Sequence, residues 1–220
     1  MKVLKVLVYV SFIFFMFQAT VAYSGESAVF SNERFVQRLI DGNKRYVDGK
    51  PSHPNQTPER RKHVAKGQHP FAVVVSCSDS RVPPEIIFDQ GIGDLFVVRA
   101  AGNIVDDAGL GSIEYAGEHL HVSLIVVLGH ERCGAVEAAV KGGEAPGHIK
   151  SLLETIRPAV EKAKGQPGDL AEHAMRTNVK MVVEHLKASK PILEHLFRKG
   201  TLTVVGARYD LDDGMVTLMP

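Results

Sequence analysis

Cys77, Asp79 and Arg81 stand within five residues of one another, and His130 and Cys133 follow some fifty residues later. Thiolate and imidazole are zinc ligands, and three of them leave the fourth corner of a tetrahedron open to water or substrate. The His-x-x-Cys spacing lets one turn present two ligands to one ion. Cys133 also falls where a helix is expected to begin, so free N–H groups and the helix dipole favour its thiolate. The same residues admit other readings: a buried thiol, a disulfide, or a closed structural zinc site. A closed site needs a fourth Cys or His, and no nearby residue supplies one. Asp79 and Arg81 favour the open, catalytic reading. A carboxylate two residues from a zinc ligand can accept a hydrogen bond from bound water, and Arg81 can hold it ionised and off the metal. The alternative is a surface salt bridge, which contributes little.

These residues need elements that bring them together. Residues 71–75, 95–98, 123–128 and 202–205 are apolar, β-branched runs of strand length. Continuous runs of this kind suit strands buried on both faces, as in a parallel sheet. Between and around them, residues 59–66, 112–120, 133–140, 149–164, 170–186 and 191–198 carry helical patterns. Gly109-Leu110-Gly111 reads as a loop turn, too short for a nucleotide-binding signature. Ser31 can cap an earlier helix through Phe35, Leu39, Ile40 and Tyr46, ended by Gly49-Lys50-Pro51. Asp212-Asp213-Gly214 is a turn signal, so the last segment, from Gly206 to Met219, is expected to form a hairpin-like edge. The expected fold is α/β: a mostly parallel central sheet of about four strands plus an edge strand, flanked by helices, with an N-terminal helical arm. The expected strands run into residues 77–81, 99–103 and 129–134. Ligands bind outside the carboxyl ends of such strands, so the chemistry converges on one rim.

Cys77-Ser78-Asp79-Ser80-Arg81 followed by His130-x-x-Cys133 resembles the β-class carbonic anhydrases. The resemblance runs from about Phe30 to Leu218. It takes in residues 42–46 (GNKRY), 93–103 (GDLFVVRAAGN), 112–116 (SIEYA) and 206–210 (GARYD). It implies zinc, one per chain, on Cys77, His130 and Cys133, with Asp79 and Arg81 as the catalytic pair. It also implies a substrate pocket at a dimer interface, lined by Gln68, Phe96 and Tyr115. Ala101 stands where the family often has a branched aliphatic residue, which would enlarge that pocket. The partners implied are carbon dioxide or bicarbonate and further copies of the chain, as a homodimer or a dimer of dimers. The reaction implied is reversible hydration of carbon dioxide to bicarbonate and a proton by zinc-bound hydroxide. Members with a bicarbonate-regulated inactive state carry a tryptophan three residues before the first cysteine; this chain has Val74 there and no tryptophan. Two rivals use the same metal: a hydrolase of carbon disulfide or carbonyl sulfide, and a non-catalytic zinc or bicarbonate sensor. A thiol redox protein is disfavoured, because no Cys-x-x-Cys is present. The other nine histidines lack ligand spacing and read as surface or packing residues.

The first segment is of a different kind. Lys2 and Lys5 precede the apolar run from Val6 to Phe17, and Thr20 and Ala22 are small. This fits a secretory signal peptide over residues 1–22, leaving residues 23–220 as one domain. As a helix the run spans about 18 Å, short of a hydrocarbon core of roughly 30 Å; the alternative is an uncleaved anchor extending through Val21. Export to the periplasm or medium is therefore expected, with no membrane contact once the signal is removed. The 26 basic and 25 acidic residues balance, so composition gives no reason to expect nucleic acid as a partner.

Overall fold

Two strands whose every residue is buried, β1 (Ala72–Ser76) and β3 (Leu124–His130), form the centre of the sheet. Their apolar runs have no polar face because helices cover both sides. In the computed structural model, which describes residues 32–220, β2 (Leu95–Arg99), β4 (Thr203–Tyr209) and β5 (Val216–Met219) complete a sheet of order β2-β1-β3-β4-β5. The pairs β1–β2, β1–β3 and β3–β4 are parallel, and β4–β5 is antiparallel. The expected mostly parallel sheet with an edge strand is therefore present. The signal segment, the 23–31 stretch and the Ser31 cap lie outside the described residues.

Helix α1 covers residues 32–47, and α2 is Pro58–Val64. Asn43 of α1 reaches the far edge of the sheet: its Oδ1 accepts from Val216 N at 2.8 Å and its Nδ2 donates to Gly214 O at 2.8 Å. Arg45 pairs with the buried Asp89, which also accepts from Ser52 and His53 and so pins the connection after α1. The 42–46 motif thus locks the helical arm onto the domain.

After β1 come a short helix, α3 (Pro84–Ile87), then β2 and a 3-10 turn over Ala101–Asn103. Helix α4 is Asp107–Glu118. This corrects two expectations, because Gly109-Leu110-Gly111 lies inside the helix and the helix does not wait for Ser112. Asp106 caps it, its Oδ1 accepting from Gly109 N at 2.8 Å. A Cβ on Gly109 would sit 3.2 Å from that oxygen and 3.5 Å from Val98, so close packing explains the glycine.

Four helices follow β3: α5 (Gly134–Lys141), α6 (Ile149–Ala163), α7 (Leu170–Ala188) and α8 (Ile192–Arg198). The buried stripe of α7, from Ala174 to Leu186 at helical spacing, lies against β3 and β4. It approaches closely because Gly129 and Gly206 face it; a Cβ at Gly129 would fall 2.5 Å from Val179 and one at Gly206 2.9 Å. That contact also corrects the expected end of the fourth strand at 205. Gly206 is not a break but a point of close approach, and β4 continues to Tyr209. Among the described residues no helix is long and apolar enough to cross a membrane.

Candidate metal centre

Cys77 follows the last residue of β1, His130 is the last residue of β3, and Cys133 caps α5. Adjacent parallel strands therefore deliver two of the three residues to one rim, and the turn after β3 folds the third back beside them. All three are buried, and one ligand atom of each lies within 4.8 Å of the others. Cys77 Sγ and Cys133 Sγ are 3.9 Å apart, and both cysteines are free. That is far beyond a disulfide bond of about 2.05 Å. It is close to the ~3.8 Å spanned by two sulfurs on a tetrahedral zinc with bonds of about 2.3 Å.

His130 is prepared as a ligand by its neighbour. Its Nδ1–H donates to the Glu131 carbonyl at 2.8 Å, which leaves the lone pair on Nε2. Nε2 is fully buried and has no hydrogen-bond partner among the described residues. An unpaired buried nitrogen costs stability. An ion between Nε2 and the two sulfurs resolves it, so the residues present fit a thiophilic divalent metal.

Between the sulfurs, the negative charge belongs to Cys77. The Cys133 thiol donates to it and, against the penalty of burial and with the amides of Asp79 and Gly102, holds it down to about 4. Those amides lie 3.4 and 3.2 Å from Cys77 Sγ. Cys133 is pushed up, first by sharing its proton with Cys77 and then by burial. The amides of Ala135 and Val136 at the start of α5 act in the expected direction, favouring the Cys133 thiolate against that push. A divalent cation would take the place of that shared proton and draw both sulfurs into the anionic form.

Asp79 and Arg81 do form a pair. Arg81 Nε donates to Oδ1 at 2.9 Å and Nη2 to Oδ2 at 2.7 Å, a bidentate clasp, and the Arg81 amide adds a third bond at 2.9 Å. The guanidinium, against burial, holds the Asp79 carboxyl down to about 2. Arg81 also donates to the Arg132 carbonyl at 3.1 Å, tying the Cys77 turn to the segment between His130 and Cys133. Asp79 Oδ2 lies 3.8 Å from His130 Nε2, beside the ligand cluster.

Sequence reasoning missed the residues that hold this arrangement from behind. Arg99 donates to the carbonyls of Cys77 at 2.9 Å and Asp79 at 2.7 Å. Asn178 of α7 donates to the Gly102 carbonyl at 2.8 Å. One signal was available: Asn178 is the single polar residue in the buried stripe of α7. A second acidic group, Glu131, Asp210 and Asp212, is occupied by Arg208, Arg132 and the Leu211 amide, and braces the turn after β3.

The remaining expected site residues stay open within one chain. Gln68 is exposed between α2 and β1, and Tyr115 is 48% exposed on α4. Phe96 on β2 and Ala101 at the start of the 3-10 turn are half-buried.

The sequence matches the family model described as carbonic anhydrase over residues 72–216. It is 44% identical over 184 residues to Carbonic anhydrase 2 of Mycobacterium tuberculosis, covering 82% of this chain and 89% of that protein. A carbonic anhydrase of Mycolicibacterium smegmatis matches with the same identity and coverage. Among solved structures, a tetrameric β-carbonic anhydrase of Sordaria macrospora superposes with a TM-score of 0.68 at 28% identity, over 85% of this chain and 97% of that one.

Proposed function

The chain belongs to the β-class carbonic anhydrase family and catalyses the reversible hydration of carbon dioxide; on that premise we propose that zinc, one ion per chain, held by Cys77, His130 and Cys133, is its reactive centre. The observation that carries the proposal is the buried, unpartnered His130 Nε2 beside two sulfurs 3.9 Å apart. Zinc bound there would supply a Lewis acid able to ionise water near neutral pH.

Asp79 is the acceptor that aims the reacting water. Held ionised by Arg81, its carboxylate would accept a hydrogen bond from the reacting water and aim its oxygen at the carbon of carbon dioxide. Two thiolate ligands cancel the charge of a divalent ion, so the oriented anion at Asp79 matters more here than beside three neutral histidines. Phe96, Ala101 and Tyr115 offer apolar surface to a neutral, linear substrate, and Gln68 offers an amide to orient it. The water's proton leaves to buffer, and bicarbonate is the other product. The same ion pair disfavours a sensor, which need not orient a nucleophile.

Purified protein should carry about one zinc per chain and hydrate carbon dioxide in stopped-flow measurement, and Cys77→Ser should lose both. Well-folded protein without metal, its cysteines joined as a disulfide, would refute the assignment.

We also propose that the protein is exported. The basic start at Lys2 and Lys5, the apolar run from Val6 to Phe17 and the small residues before Tyr23 support this. The mature chain should begin near Tyr23; Met1 found intact in the cytoplasmic fraction would refute it.

A further inference from the structure

We infer that Asn178 is a positioning residue for the metal centre, acting through Gly102 on the Cys77 sulfur; this rests on the zinc reading above. Asn178 is 4% exposed among Ala174, Met175, Val179 and Val182, where an apolar side chain would serve packing alone. A buried carboxamide is costly unless it is hydrogen-bonded. Its Nδ2 meets the Gly102 carbonyl at 2.8 Å. The amide of the same glycine meets Cys77 Sγ at 3.2 Å.

Backbone bonds hold the start of the turn, with Ala100 paired to Ser76 and Ser78 and the Asn103 amide donating to the Ala100 carbonyl, but among the described residues Asn178 is the side chain that bonds the Gly102 carbonyl. No side chain caps the 3-10 turn, and Gly102 has a φ of 70°. A Cβ there would fall 2.6 Å from Ile156 and 3.3 Å from Ala135, so α5 and α6 wall the glycine where a side chain would stand. Only a residue without a side chain fits, and such a residue is conformationally free. Asn178 removes that freedom. The carbonyl and the amide belong to adjoining peptides, so the effect is placement of the N–H and not polarisation of it.

An N–H bonded to a thiolate withdraws electron density that the sulfur would otherwise give to a metal. Losing Asn178 should leave the ligands in place and make Cys77 a more electron-rich donor. A purely structural role would lower stability and leave the sulfur unchanged.

The test uses the full chain loaded with cadmium-113 in one experiment and with cobalt(II) in another. In the natural protein, magnetisation should pass from cadmium through Cys77 Sγ to the Gly102 amide proton and give a cross-peak. In Asn178→Leu that peak should fall by about twofold or more, and the sulfur-to-cobalt charge-transfer band should move to lower energy. Asn178→Ala, which removes the donor without adding bulk, should do the same and serves if the leucine variant does not fold. Cadmium bound without the Gly102 cross-peak would overturn the inference and leave the metal site standing. So would a folded variant with a lowered Tm, an unchanged peak and an unchanged band. A protein that takes up neither metal would overturn the metal reading and this inference together.

Discussion

One guanidinium decides what Asp79 can do. With both carboxylate oxygens clasped by Arg81, Asp79 can accept from a neighbouring water but cannot turn toward the ligand cluster. Its Oδ2 lies 3.8 Å from His130 Nε2, near enough to compete for an ion once released. Arg81→Ala should therefore silence the centre by freeing an anion, and Asp79→Asn by removing the acceptor. Each should lower the hydration rate by about 10²–10³-fold, as losing one preorganised group does, with metal content near that of the natural chain. The double variant should be far less impaired than the product of the singles, because the two residues act as a unit. Stopped-flow rates and metal analysis on all three decide the matter; near-normal turnover in either single variant would reduce the pair to an ordinary salt bridge. At this scale the sequence was legible wherever the chemistry is local. Cys77, Asp79 and Arg81 share one turn, and His130 and Cys133 another. Arg99 and Asn178 were not, because each acts across a tertiary contact that no spacing records.

Helix α7 governs how β3 delivers its histidine. It lies on two glycines, and the residue after Gly129 is His130 itself. Gly129→Ala would place a methyl 2.5 Å from Val179 and 2.8 Å from the Met175 sulfur. The helix would have to move, at a cost of about 1–3 kcal/mol for overpacking. In a chain of this size that is a fall in Tm of roughly 2–12 °C. A thermal melt with metal analysis should show both the lower Tm and weaker metal retention; an unchanged Tm would mean that the helix is not held at this distance. The same glycines explain where element boundaries could not be read. β1 and β3 were visible because burial on both faces leaves an unbroken apolar run. Gly206 looked like a strand end and Gly109-Leu110-Gly111 like a turn, since glycine is poor in both strand and helix interiors. In the folded chain Gly206 is instead a place where α7 comes close, and Gly109 sits against its own cap, Asp106, with Val98 beyond; only the fold reveals those neighbours.

The whole molecule leaves its site unfinished on one side. β2 is the outer strand of the sheet, and its Leu95, Phe96, Val97 and Val98 are half-buried. An open strand edge with apolar side chains is a surface that proteins ordinarily cover. The exposed Ile86, Ile92 and Tyr115, at 60%, 43% and 48%, add to the uncovered apolar surface. Phe96 and Tyr115 belong to the pocket implied by the family resemblance, so the surface that needs a cover includes residues that the proposed pocket would use. A second copy of the chain would meet both needs at once. The metal ligands require no such help, being buried within one chain. Catalysis and metal binding should therefore separate on dilution. As the protein is diluted through its dissociation range, hydration rate per chain should fall while zinc per chain stays constant, and reconcentration should restore the rate. The metal would hold its place through its three ligands, while the apolar wall beside it would open to water. Light scattering alongside the rate measurement identifies the species present. A monomer that keeps the full rate per chain would show that one chain completes its own pocket, and that the β2 edge serves some other purpose.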